Sequence, residues 1–257
     1  RASGFTCRGP AKPAPTRLPS SAHTTSEFHC VATCSSPWTV PMLPAVTIVL
    51  ATSNEGKASE LRALLADLPV QLVTTADVLG EKLILSEDGD TFEANAIQKA
   101  QAICAATQMI ALADDSGLEV DGLGGRPGVR SARFAHERAT DAENNAALLR
   151  ALEEADRDHE RLARFRCVLA LASPWLSEVK TAEGKVEGAI ARDPRGSGGF
   201  GYDPLFLAAE TGGRSMAELG EAEKNCISHR ARAVRALRPL LVSLMNAQLD
   251  EAERILG

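Results

Sequence analysis

Apolar runs and amphipathic segments alternate along the chain from Met42 onwards. Four segments have the composition of strands, namely residues 46–51, 109–113, 164–173 and 186–191. Four segments have the apolar spacing or the capping residues of helices, namely residues 57–66, 91–106, 140–155 and 228–256. Short continuous apolar runs are typical of strands that are buried on both faces. The alternation therefore predicts an α/β fold in which helices cover both faces of a sheet.

Two positions predict where a helix begins or changes direction. Thr140 and Glu143 have the spacing of a capping box, in which each side chain satisfies a free N–H group of the other residue, so a helix is expected to start there. Pro239 lacks a backbone N–H and is expected to kink or divide the last helix.

Residues 1–41 differ in composition from the rest of the chain. They are rich in Ser, Thr and Pro, contain four basic residues, and have Glu27 as their only acid. Such a segment cannot build an apolar core, so we predict a disordered extension over 1–41 and one folded domain over 42–257. The extension is either a transit-like targeting segment or translated sequence upstream of a true start at Met42.

Composition bounds the class of protein. The chain has 257 residues, of which 44% are hydrophobic and 24% charged, enough for one large or two-lobed soluble domain. A net charge of −6 argues against binding to a nucleic acid polymer, and no apolar stretch approaches the roughly 20 residues that span a membrane. The six cysteines lack paired CxxC spacing, so a reduced, cytoplasmic protein is expected, or an organellar one if residues 1–41 are a transit segment.

Asp114 and Asp115 follow directly on the apolar run 109–113. Acids at the end of a core strand are costly unless they are paired or coordinated, so the pair predicts a divalent cation and an anionic ligand. If the strand continues in extended form, the two side chains point to opposite faces of the sheet. The two acids therefore cannot both face one ion in the same way.

A loop between the first strand and the first helix is a candidate phosphate site. It consists of Thr52, Ser53, Asn54, Glu55, Gly56 and Lys57. Free N–H groups and the helix dipole favour an anion at such a place, and Lys57 adds a positive charge. The loop lacks the Walker A pattern. A plain connecting turn is the alternative interpretation.

The acidic turn at 87–93 leads into the second predicted helix. Ordinary capping explains acids near a helix N-terminus. Asn95 and Lys99, however, are four residues apart and share one face of that helix. That face could offer an amide and an ammonium group to a ligand, while the turn offers carboxylates to a metal.

Two further segments are candidates for binding a flat ligand. Residues 196–204 combine four glycines with Phe200, Tyr202 and Asp203, a combination that allows close approach, stacking and a hydrogen bond. Residues 224–230 bring together Lys224, His229 and Arg230 near the start of the last helix, which Ser228 can cap. An ordinary loop and a solvated basic face are the respective alternatives.

Taken together, these segments resemble the inosine triphosphate pyrophosphatase family, which includes dITP/XTP pyrophosphatases. The resemblance extends from about 46 to 240 and rests on motifs that appear in the family's order: ATSNEGK, TFEANAIQKA, ADDSGLEVDGLGGRPGVRSARFA, ATDAENN, GSGGFGYDP and AELGEAEKNCISHRARA. It implies a two-lobed α/β fold around a long, mixed, twisted sheet, with the active site in the cleft between the lobes. It also implies a homodimer.

The resemblance implies roles for individual residues. The phosphate loop falls on Thr52, Ser53, Asn54, Glu55, Gly56 and Lys57, and Lys99 and Ser116 would also meet the phosphates. Glu87 and Asp115 would bind Mg²⁺, with Asp115 as the general base. Phe200, Gly201, Tyr202 and Asp203 match the nucleobase segment, and Lys224, His229 and Arg230 match the remaining substrate contacts.

The implied reaction is Mg²⁺-assisted attack of water on the α-phosphorus of a non-standard purine nucleoside triphosphate (ITP, dITP or XTP), which releases pyrophosphate. His229 and Arg230 can donate to a C6 oxo group but not to an amino group, so ATP should be a poor substrate. The alternatives are a non-catalytic nucleotide sensor and a pyrophosphatase for pyrimidine or methylated nucleotides. A dinucleotide-dependent oxidoreductase is disfavoured because no G-x-G-x-x-G follows the first strand.

Overall fold

The computed structural model describes residues 46–80, 85, 87–153 and 158–256, all of which belong to the unit 42–257. The predicted extension 1–41 lies outside these residues. Within them, no helix is both long and apolar enough to cross a membrane.

A mixed six-stranded sheet forms the centre of the fold, with strand order β2-β1-β3-β4-β5-β6. The strands are β1 (Val46–Ala51), β2 (Val70–Thr74), β3 (Ile110–Val120), β4 (Leu162–Ala172), β5 (Lys180–Ile190) and β6 (Phe206–Ala208). β1 lies parallel to β2 and β3, and the other neighbouring pairs are antiparallel. The predicted mixed α/β sheet is therefore confirmed.

Helices cover both faces of this sheet. They are α1 (Glu55–Leu64), α2 (Thr75–Leu79), α3 (Phe92–Thr107), α4 (Asp141–Ala151), α5 (Glu221–Ile227) and α6 (His229–Leu256). A 3₁₀ segment at Gly128–Arg133 packs beside β3. Pro239 was expected either to kink the last helix or to divide it. The helix continues through Pro239 as one element, so the proline does not divide it.

The register of the strands gives the sheet two ends. Besides β2, β1 pairs with β3, but only along the first residues of β3, whereas β6 pairs with the last residues of β5. At the β1 end, α1 and α6 pack on one face and α3 on the other, each over its own apolar cluster. A third cluster lies at the β6 end. β3, β4 and β5 extend through both ends and join the two lobes.

The strand predicted at 109–113 was too short. β3 continues through Asp114, Asp115 and Ser116, which pair with Leu169, Val168 and Cys167 of β4. Polar residues are tolerated inside this strand because buried cations neutralise both acids. The consequence is that the acids stand between the apolar clusters, where the lobes meet.

Candidate active site

The loop before α1 is shaped by its own side chains. Asn54 caps the helix, since its Oδ1 accepts the N–H of Lys57 at 3.0 Å, and Thr52 Oγ1 accepts the N–H of Asn54 at 3.2 Å. The earlier N–H groups of a first helical turn have no partner within the helix and point out of its end. The loop therefore presents backbone donors and the Lys57 ammonium to the same side.

Asp114 and Asp115 point to opposite faces of the sheet, as extended backbone requires. Asp115 faces α3, where Asn95 and Lys99 lie one turn apart and both contact it. Lys99 Nζ donates to Asp115 Oδ1 at 2.7 Å, to Glu87 Oε1 at 3.0 Å and to the Asp114 carbonyl at 2.8 Å. All three ammonium donors are thus used, and both candidate metal ligands converge on one cationic atom.

Asn95 holds the acidic turn as well as the acid on β3. Its Nδ2 lies 3.3 Å from Asp115 Oδ2, while its Oδ1 accepts the N–H of Gly89 at 2.8 Å. Arg133, at the end of the 3₁₀ segment, donates to the Glu87 carbonyl at 3.0 Å, and its Nη1 lies 3.6 Å from the Glu87 carboxylate. These contacts bring Glu87 from a distant turn to Asp115.

The acids around Lys99 differ in their affinity for protons. Burial raises the pKa of Asp115 above its usual range, and the attraction of Lys99 only partly offsets this. Burial acts in the same direction on Glu87, but Lys99, Lys57 and Arg133 outweigh it and lower its pKa. Asp115 is therefore the stronger base of the two carboxylates.

Asp114 faces α1 and α6 and joins the loop at 52–57 to the last helix. Its Oδ1 lies 2.9 Å from Lys57 Nζ and accepts a hydrogen bond from Ser116 Oγ at 2.8 Å. Its Oδ2 accepts hydrogen bonds from Arg230 Nε at 2.7 Å and from Cys167 Sγ at 3.1 Å. Burial alone would raise the pKa of this acid, but Arg230 and Lys57 hold it well below its usual range. Asp114 is therefore an anion that orients Lys57.

A chain of alternating charges continues from Asp114 to the glycine-rich segment. Arg230, only 1% exposed, also pairs with Glu60 of α1; Glu60 lies 2.6 Å from Lys224 Nζ of α5. Lys224 in turn lies 2.6 Å from Asp203 Oδ2, which accepts the Phe200 N–H at 2.9 Å. The predicted start of the last helix at Ser228 is confirmed, since Ser228 Oγ accepts the Ala231 N–H at 3.1 Å, and Lys224 lies before it on a separate short helix, α5.

The glycine-rich segment lies against the loop at 52–57. Phe200 packs directly over Gly56, where an added Cβ would stand 2.6 Å from the ring, and Lys224 Nζ lies 4.8 Å from the ring centroid. Tyr202 is buried, with its hydroxyl donating to the Ser131 carbonyl at 2.8 Å. Phe200 is thus the aromatic ring placed to meet a ligand, whereas Tyr202 anchors the segment.

The side chain of His229 is a neutral imidazole in the wall of the pocket. Its ring stacks on Phe165, with centroids 4.8 Å apart, and its buried Nδ1 has no hydrogen-bond partner among the described residues. Burial and the neighbouring Arg230 hold the pKa of His229 well below its usual range. The close packing of α6 on Gly184 of β5 fixes the backbone of His229.

Two adjoining cavities receive these groups. A cleft of about 520 Å³ lies over the loop and the acids, and a pocket of about 100 Å³ lies beside the glycine-rich segment and α6. Asn54, Lys57, Ser116 and Ala132 line both. Every predicted site residue except Gly56, which lies beneath Phe200, lines one of the two cavities.

Some residues of the site escaped the sequence analysis. Glu60 is three residues after Lys57, on the same helical face, and that spacing could have indicated it. Phe165 is an apolar strand residue with no signal of its own. Asp141 and Asn144 line the small pocket, but the capping box at Thr140 had explained their segment as a helix start.

Comparison with known proteins gives relatives over most of the chain. The model of the Ham1 family matches residues 48–240. The dITP/XTP pyrophosphatase of Bacillus licheniformis is 48% identical over 194 residues, which cover 76% of this chain and 97% of that protein. The dITP/XTP pyrophosphatase of Thermus thermophilus is 50% identical over 196 residues, which cover 76% and 92% respectively.

Solved structures agree in fold. A HAM1 protein from Coxiella burnetii has a TM-score of 0.69 and 42% identity, covering 77% of this chain and 99% of that one. The Ham1 protein of Staphylococcus aureus has a TM-score of 0.67 and 36% identity, with coverage of 77% and 98%. The resemblance predicted from the ordered motifs is confirmed, and the chain belongs to the Ham1 family.

Proposed function

We propose that this protein hydrolyses non-standard purine nucleoside triphosphates, namely ITP, dITP and XTP, to the monophosphate and pyrophosphate. The observation that carries the proposal is the junction of the two cavities at Asn54, Lys57 and Ser116. One cavity offers Lys57 and the backbone N–H groups of the loop, which suit a triphosphate, and carboxylates, which suit its metal ion. The other offers an aromatic ring and fixed polar groups, which suit a base. Two relatives named dITP/XTP pyrophosphatase support the substrate class.

The carboxylates of Glu87 and Asp115 fit Mg²⁺. Glu87 and Asp115 both reach one atom, Lys99 Nζ, so their oxygens already converge around a positive charge. Among the described residues no group of three or more His, Cys, Asp and Glu is placed to hold a metal. Mg²⁺ is typically bound through one or two carboxylates together with substrate phosphates and water, and that donor set is what the cleft and a triphosphate would provide. When bound, Mg²⁺ would withdraw charge from the phosphate oxygens.

Asp115 is proposed as the general base. It would take a proton from the water whose oxygen bonds to the α-phosphorus, while the bond to the bridging oxygen of the β-phosphate breaks and pyrophosphate leaves. Lys57, oriented by Asp114, would stabilise the charge on the leaving group together with the N–H groups of the loop. In the structure Lys99 has no donor left for a phosphate, so its first role is to hold the two acids together.

Base selection is proposed to depend on fixed donors. The neutral His229 ring and the cations Lys224 and Arg230 line the small pocket, and ion pairs hold both cations in place. A C6 oxo group can accept from such donors, whereas the amino group of adenine would face them with hydrogens of its own. Inosine and xanthosine triphosphates should therefore turn over far faster than ATP.

The test is pyrophosphate release from a panel of purine, pyrimidine and methylated triphosphates with Mg²⁺. We expect ITP and XTP to lead the panel, and Asp115→Asn to lower kcat by at least about a hundredfold, as loss of a general base does. Asp121→Asn, which changes an exposed acid beyond the end of β3, is the matched control and should leave the rate unchanged. Equal kcat/KM for ITP and ATP, or full activity of Asp115→Asn, would refute the proposal.

The same panel separates the alternatives. A nucleotide sensor would bind ITP without releasing pyrophosphate, and a pyrimidine or methylated-nucleotide pyrophosphatase would prefer those substrates. We further propose a homodimer and a cytoplasmic location. Light scattering of the purified protein tests the first, and N-terminal sequencing of the mature protein tests whether residues 1–41 act as a targeting segment.

A further inference from the structure

One face of α4 holds the peptide groups of Gly201 on both sides. The Gly201 N–H donates to Asp141 Oδ2 at 2.7 Å, and Asn145 Nδ2 donates to the Gly201 carbonyl at 2.8 Å. Asp141 and Asn145 are four residues apart and therefore share a helical face. We call these two side chains the Gly201 clamp.

The backbone at Gly201 needs such support. Its φ is +62°, in the left-handed region that favours glycine, and the residue lines the small pocket with no side chain of its own. On either side, Phe200 N–H is bound by Asp203 and the Tyr202 hydroxyl by the Ser131 carbonyl. Together with the clamp, these contacts make four hydrogen bonds that fix the segment 200–203. Two come from α4, one from the 3₁₀ segment and one from within the segment itself.

The clamp determines where the pocket wall stands relative to the phosphate loop. Phe200, directly before Gly201, rests on Gly56 so closely that an added Cβ there would overlap the ring. A shift of Gly201 would move the ring against the loop and widen a pocket of only about 100 Å³. Neither Asp141 nor Asn145 belongs to the acid cluster around Lys99.

We propose that Asp141 and Asn145 are positioning residues that set the enzyme's selectivity for the base. The inference rests on the proposed function. The pocket discriminates against adenine because donors of the protein would face the hydrogens of the adenine amino group. This works only while the donors and the opposite wall stay fixed, since a looser wall would let adenine shift until its amino group no longer faces the donors. A fixed wall keeps the base in the one position at which the C6 substituent is read.

Stabilisation of the fold does not by itself explain the presence of Asn145. Its Oδ1 is buried without a hydrogen-bond partner among the described residues, and a buried unpaired acceptor is destabilising. Helix initiation does not explain the pair either, because Thr140 and Glu143 already supply the capping box, with Thr140 N–H donating to Glu143 at 2.8 Å. What Asn145 contributes is its bond to Gly201.

The experiment measures kcat/KM for ITP and for ATP in Asp141→Ala, Asn145→Ala and the double variant, with thermal denaturation of each. We expect the ITP/ATP ratio to fall by about ten- to a hundredfold in each single variant, as for a small misplacement of bound substrate. The double variant should fall little further, because both side chains act on one peptide. Asp141→Asn retains an acceptor for the Gly201 N–H and should keep most of the selectivity.

Glu143→Ala is the matched control, since it removes the capping box of the same helix without touching Gly201. It should lower the melting temperature and leave the ITP/ATP ratio unchanged. If Glu143→Ala changes the ratio as much as the clamp variants, or if the folded clamp variants keep the wild-type ratio, the inference is refuted while the proposed function stands. A wild-type protein that does not discriminate ITP from ATP would overturn the proposed function and the inference with it.

Discussion

The pair of Asp114 and Arg230 offers the sharpest test of how the site is held together. Both side chains are fully buried and their nearest atoms are 2.7 Å apart. Removing one member of this pair leaves the other charge with a single partner, Lys57 for Asp114 or Glu60 for Arg230, and breaking a buried pair costs about 3–5 kcal/mol. For a domain of this size, that lowers the melting temperature by roughly 6–20 °C. We expect losses in this range for both Asp114→Leu and Arg230→Met.

The double variant should lose much less than the sum of the two. When both groups are gone, Lys57, whose side chain is 17% exposed, can turn to solvent, and Glu60 keeps its partner Lys224. We therefore expect a coupling free energy of at least about 1.5 kcal/mol in a double-mutant cycle, as for other close charge pairs.

The assay is urea denaturation followed by circular dichroism, with free energies of unfolding for wild type, the two single variants and the double variant. Arg214→Met is the control, because it deletes the same chemical group from a pair with Glu223 in which both side chains are exposed. Such pairs contribute at most about 1 kcal/mol. Additive losses within about 0.5 kcal/mol would show that Asp114 and Arg230 do not act as a pair.

Two other predictions follow from the pocket walls. Because burial and then Arg230 hold the pKa of His229 well below 6.5, the unfolded chain takes up a proton below that pH and the folded chain does not. Unfolding free energy should therefore fall more steeply from pH 7 to 5 in wild type than in His229→Gln, by up to about 1.4 kcal/mol per pH unit, and parallel curves would contradict this. Gly56→Ala should lower kcat/KM for ITP about tenfold or more without lowering the melting temperature, because the added Cβ displaces Phe200 while alanine favours the helix. Unchanged kinetics would show that Phe200 moves aside freely.

Much of the fold could be predicted from local pattern. β1 and most of α3 lie where apolar runs and spacing predicted them, because buried strands and amphipathic helices have strong periodic signals. β2, β6, α2 and α5 were missed. They have between three and seven residues, too few for a period to be visible. β2 and β6 are fixed by their neighbours in the sheet, and α2 by its capping box.

The sequence by itself determined the family, the loop that leads into α1, the adjacent acids Asp114 and Asp115, and the alternation of their side chains across the sheet. Each of these is carried by contiguous motifs or by backbone geometry. Only the tertiary structure decided which groups each acid contacts. Asp115 contacts Lys99, which also binds Glu87. Asp114 contacts Lys57 and Arg230, and Arg230 lies 116 residues away along the chain. The chain of charges through Glu60 and the clamp on Gly201 likewise join segments that are distant in sequence. No local pattern encodes such contacts, because they arise only when the sheet brings its helices together around buried charges that must be neutralised.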